Sequence, residues 1–211
     1  MASIQPIDSI KQHVEKLTNT NKVIGLSHCS KKGLTIMGVH LHLAAISDFN
    51  ISRLMAHPQL IWTLVTAETR FPASRYALEP ECITLRESLG EYWHGIHYLL
   101  CGQGWNGQLP DAFLLDGGSY VGNVDLGYGP ARTFDSGEVK HITQALVNKT
   151  PETLRQHFDT NQMLDEDIYP PIWDGNTQAL DACLKRFQAM QHFMRHVAEN
   201  DLGLAVYLQE T

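Results

Sequence analysis

The chain has 211 residues, 43% hydrophobic and 18% charged, with a formal net charge of -7, enough to bury a sizeable core in one compact domain. No apolar run approaches the roughly 20 residues of a membrane-spanning helix, and the start MASIQPIDSIKQHVEKL lacks the basic, apolar and small-residue zones of a secretory leader, so the expectation is a cytoplasmic protein with no membrane partner. Residues 1–75 carry +4 and residues 76–211 carry -11, a sign that disfavours nucleic acid and admits a basic protein partner.

Taken in chain order, Asp8 is a candidate cap for a short amphipathic helix with Ile10, Val14 and Leu17 on one stripe. Val39, Leu41 and Leu43 alternate with His40 and His42 after Gly38, the period-two pattern of a half-buried strand. Helical signals resume after Ser47, and Pro58 suits the first turn of a separate helix leading to Val65. Residues 70–82 read as a surface connection. From Leu85 the series Leu89, Trp93, Ile96, Leu100 steps by three or four, which predicts one helix ending at Gly102.

Residues 102–133 hold eight of the sixteen glycines, a turn-rich span with short strands at most. Ser136 with Val139, Ile142, Leu146 and Val147 predicts a further helix, Thr150-Pro151 a capped start, and Asp159 another. A long helix follows over about Thr177 to Glu199, striped by Leu180, Leu184, Phe187, Met194 and Val197, and Leu204 to Leu208 reads as a strand. With helices outnumbering strands, the expected fold class is α+β: one compact, helix-dominated domain with a small sheet.

Three segments concentrate chemistry-bearing residues. His94 and His97, in Trp93-His94-Gly95-Ile96-His97-Tyr98, are three apart and share a helical face, within reach of a common partner. No third zinc ligand is evident, and buried histidines bonded to neighbouring groups are the simpler reading. In Asp125-Leu126-Gly127-Tyr128-Gly129-Pro130-Ala131-Arg132 the glycines set a special backbone path that would present Tyr128 and Arg132 to a ligand; alternatively Asp125 pairs with Arg132 and locks a turn. Tyr169, Trp173 and Asp174 frame a Pro-Pro kink, as a hydrophobic plug or an exposed anchor.

Neither a phosphate-binding loop nor a GxSxG nucleophile is present. The four cysteines, Cys29, Cys82, Cys101 and Cys183, form no CxxC pair, which predicts reduced thiols. Runs such as Asp165-Glu166-Asp167 read as solvated surface. No catalytic residues, metal site or cofactor are expected on these grounds.

The segments WHGIHYLLCG (93–102), VDLGYGPAR (124–132) and IYPPIWD (168–174), with MGVHLHLAAIS at 37–47, resemble the bacterial YfbM-like family, a domain of unknown function. The resemblance spans residues 37–211 and implies a small cytoplasmic α+β domain with no established reaction. It also implies a start near Met37-Gly38, leaving residues 1–36 either as an extension whose helix docks on the body or as sequence upstream of the native start. Without those residues the body is at -10. An acidic, aromatic-rich domain with no visible catalytic set points to a non-catalytic binding module, for example an immunity protein neutralising a basic antibacterial toxin. The alternative is a small-ligand binder or enzyme with a pocket between His94, His97 and Arg132. The candidate ligand or partner residues are Trp93, His94, His97, Tyr98, Tyr128, Arg132, Tyr169, Trp173 and Asp174.

Overall fold

The structure, a computed structural model, describes residues 10–12, 15, 38–66, 78, 85–174 and 177–210. The strands are β1 (Val39–Ile46), β2 (Arg86–Gly90), β3 (Ser119–Tyr120), β4 (Arg132–Phe134) and β5 (Gly203–Glu210). The helices are α1 (Asp48–Ala56), α2 (Ile61–Thr66), α3 (Trp93–Cys101), α4 (Ser136–Val147), α5 (Pro151–Arg155), α6 (Thr160–Asp165) and α7 (Thr177–Glu199), with a 3-10 turn at Pro58–Leu60 before α2. The architecture is α+β, as the strand and helix patterns predict. Of the N-terminal helix signal, Ile10 is buried in the main core; Val14 and Leu17 lie outside the described residues, as does most of the 70–82 connection.

The sheet runs β2-β1-β5-β4-β3 and is antiparallel at each pairing. Its centre is the β1–β5 ladder, eight residues from Val39↔Glu210 to Ile46↔Gly203. Because alternate side chains point to opposite faces, β1 sends Val39, Leu41, Leu43 and Ala45 into the main core with α3, α4 and α7. Ala44 and Ile46 face a second cluster with Leu54, Ile61 and Leu64 from α1 and α2. The first half of β1 alternates as the sequence predicts, while the second half is buried on both faces, as strands covered on both sides are.

The expected helix from Leu85 is corrected: it begins at Trp93, and Leu89 belongs to β2. A step of four between Leu85, Leu89 and Trp93 fits a helix, but Arg86 to Gly90 pair with Ala44 to Leu41, and the chain turns at Gly90 with φ 57°, a left-handed value that glycine adopts without strain. The helix stops at Gly102 as predicted, with the residue left-handed at φ 71°.

Local signals set the other helix starts. Asp135 caps α4, accepting from Glu138 N, while the Glu138 carboxylate accepts from Asp135 N, a reciprocal capping box. Thr150 caps α5 with Pro151 at its first position, and Asp159 caps α6. The long helix α7 spans Thr177–Glu199 and buries Leu180, Leu184, Phe187, Met194 and Val197, the predicted stripe.

Candidate functional site

α3 is buried along all but its last residue: Trp93 through Leu100 are buried and Cys101 is half-buried. At its first turn, Trp93 Nε1 donates to Val39 O (2.9 Å), and Val39 N donates to Tyr169 Oη (3.0 Å). Both backbone groups of the first β1 residue are thereby held by aromatic side chains from distant segments. Burial pushes the Tyr169 phenol up to about 12, with the Glu91 and Glu210 carboxylates adding to the effect and the Val39 bond opposing it.

His94 is fully buried, stacked on Trp93 (4.9 Å) and close to Trp105 (4.2 Å). Its Nε2 lies 2.7 Å from Gly104 O, and its Nδ1 accepts from Tyr169 N at 3.0 Å. A carbonyl only accepts and a backbone N–H only donates, so the ring is the neutral tautomer with its proton on Nε2. Burial holds its pKa down at about 3, with His97 nearby lowering it and the Gly104 bond opposing. His97 Nε2 likewise faces Asn106 O (3.2 Å), and its Nδ1 lies 3.9 Å from Cys101 Sγ. Burial lowers His97 to about 4, the Asn106 bond opposes, and Arg132 lowers it further. The two rings are on one helix face, yet each is turned onto the backbone of the 104–106 turn. Nothing in the sequence singles out Gly104 or Glu166, which complete this network: Gly104 N donates to Glu166 Oε2.

Arg132, at the start of β4, is buried and bonded to four carbonyls. Nη1 donates to Phe113 O (3.1 Å), Asp116 O (2.6 Å) and Gly117 O (3.0 Å), and Nη2 to Leu114 O (2.6 Å). Burial lowers its pKa to about 10. The Asp125–Arg132 pairing considered from the sequence does not form. Asp125 Oδ1 accepts from Gly127 N and Gly129 N, both at 2.9 Å, and folds the loop locally. Tyr128 is buried at 5% exposure. The guanidinium thus anchors the 113–117 turn.

The Pro-Pro segment is a plug in its aromatic part. Trp173 is fully buried, and its Nε1 donates to Ile168 O at 3.0 Å. Its ring lies against α3 at Gly95, where an added Cβ would sit 2.6 Å from two Trp173 ring atoms. The substitution Gly95→Ala is expected to destabilise by about 1–3 kcal/mol through this overlap, read as a lowered thermal midpoint. An unchanged midpoint would mean that the helix and the ring are not in contact. Asp174 is exposed, and Tyr98 Oη donates to Gln162 Oε1 at 3.0 Å.

A cleft of about 390 Å³ opens beside the 104–106 turn, lined by Trp105, Asn106, Asp165, Glu166 and Asp167 and by Lys11 and Glu15. Among the described residues no group of three or more His, Cys, Asp or Glu is arranged to hold a metal ion, and no helix is long and apolar enough to cross a membrane. The motif residues therefore form two buried knots, His94–Gly104–Tyr169 and Arg132 with residues 113–117, rather than one open pocket.

The comparisons with known proteins agree with this architecture. None of the curated proteins compared matches the chain. The crystal structure of YfbM, a protein of unknown function from Escherichia coli, superposes with a TM-score of 0.60 at 14% identity, covering 80% of this chain and 99% of YfbM. At that identity the likeness is one of fold. The profile of a domain of unknown function, DUF1877, matches residues 37–207, so the chain belongs to that family, the YfbM-like family its motifs resemble.

Proposed function

We propose that the protein is a non-catalytic binding module that engages a basic protein, in the manner of an immunity protein that neutralises a basic antibacterial toxin. The observation that carries this reading is the acidic segment between α4 and α7. Residues 152–174 hold Glu152, Asp159, Asp165, Glu166, Asp167 and Asp174 against the single base Arg155, and Arg155 is already paired with Asp181 of α7. Four of the six acids are exposed, while Glu166 and Asp167 are half-buried. An excess of surface carboxylates raises the rate of encounter with a basic partner and helps to orient it, although each exposed pair adds little affinity by itself.

The geometry of the histidines supports the non-catalytic part. A proton-transfer group needs a free nitrogen within hydrogen-bond reach of a substrate; His94 has both nitrogens engaged, and Arg132 directs its guanidinium at backbone carbonyls. The test is co-purification with the product of the neighbouring gene. A complex that forms at low salt and weakens as salt rises is expected. Failure to find any protein partner at low salt would sink the reading.

A further inference from the structure

The loop before β3 leaves Leu109 52% exposed, beside a notch of about 70 Å³ lined by Leu109, Pro110, Phe134, Glu138, His141 and Ile142. Three carboxylates surround this part of the surface, each held in place by a backbone bond. Asp116 Oδ1 accepts from Gly117 N at 2.7 Å, and an added Cβ on Gly117 would touch Leu109. Asp135 and Glu138 are fixed by their capping box. The nearest lysine on α4, Lys140, is bound to Asp201, and the buried Arg132 charge is taken up by four carbonyls. A second exposed large apolar side chain, Tyr120 at 40%, sits on β3, where it pairs with Arg132 of β4.

We infer that this notch is a docking point for one aliphatic side chain flanked by lysine or arginine on a basic protein, and the inference rests on the basic-partner reading above. The notch is shallow and small, about 70 Å³, a size that suits one branched aliphatic side chain. The apolar floor of Phe134 and Ile142 gives the anchor its affinity, and the acidic surround selects basic neighbours. Strand addition is a poor alternative at this edge, because β3 is only Ser119–Tyr120 long.

The probe is acetyl-Lys-Lys-Leu-Lys-Lys-amide, titrated into the full chain and followed by methyl NMR, with the Ser-centred peptide as control. The expected result is saturable shifts of the Leu109 and Ile142 methyls, at least about tenfold weaker with the Ser peptide and lost in Leu109→Ser, an exposed position that leaves the core intact. The charge arm is Asp116→Asn, expected to weaken binding about threefold at low salt. Shifts confined to residues 152–174 would overturn the notch while leaving the basic-partner reading standing. Equal shifts with both peptides, or none at about 5 mM peptide, would overturn the notch as well; the partner reading would then stand or fall on its own co-purification.

Discussion

Replacing Arg132 with methionine is expected to lower the folding free energy by about 3–5 kcal/mol, read as a lower urea midpoint at neutral pH or as loss of soluble protein. Methionine fills much of the same space, so the loss comes from the polar side. Four carbonyls, of Phe113, Leu114, Asp116 and Gly117, point at the guanidinium from one turn, and each buried acceptor left without a donor costs about 1–3 kcal/mol. Arg132→Lys keeps the charge but offers a single ammonium where a planar fork reaches four acceptors, so it should fall between wild type and Arg132→Met. A methionine variant with the wild-type midpoint would mean that the turn holds its shape without the guanidinium.

The second large effect is acid sensitivity. His94 and His97 are held neutral in the fold, at about 3 and about 4, against 6.5 in an unfolded chain. As pH falls below 6.5 the unfolded chain takes up protons that the native state refuses, so stability is complete above that value and drains away toward the folded values. Each group contributes about 1.4 kcal/mol per pH unit, or about 5 kcal/mol for the pair over two units, which is comparable to the whole stability of an ordinary domain. His42, lowered to about 4 by burial and by His40 and Arg86, acts in the same direction. Protonating His94 also sets an N–H against Tyr169 N–H, removing one of the bonds between α3 and the Pro-Pro segment. Thermal midpoints measured from about pH 7.5 to 4.5 should fall steeply for the wild type and less steeply for His94→Gln. A flat wild-type profile would show that the imidazoles accept protons in the native state.

Local chemistry in the sequence located most elements, and it failed where a distant partner decided the outcome. The caps at Thr150 and Asp159, the stop at Gly102 and the stripe of α7 are each determined by a few neighbouring residues, and all are legible, whereas the start of α4, expected at Ser136, is capped one residue earlier by Asp135. β2 was not, because Arg86, Glu87 and Ser88 carry no strand alternation and their state is set by pairing with β1 some forty residues earlier. The same division applies to the candidate site. The spacing of His94 and His97 correctly places both rings on one face of a helix, but spacing says nothing about what that face meets. The partners are backbone groups of residues 104 and 106, supplied by a glycine-rich turn without side-chain signals. Arg132 was visible as a residue of interest, whereas its four carbonyl partners have no sequence signature at all.

The placement of β5 has a kinetic consequence. The central ladder joins residues 39–46 to residues 203–210, so the middle of the sheet waits for the last described strand to leave the ribosome. Until then β1 exposes Val39, Leu41 and Leu43 with one side unpaired, and closing a loop of this length is slow compared with forming helices. Only the β2 side of β1 can pair during most of synthesis, so the sheet closes last at its centre, through its most sequence-distant contacts.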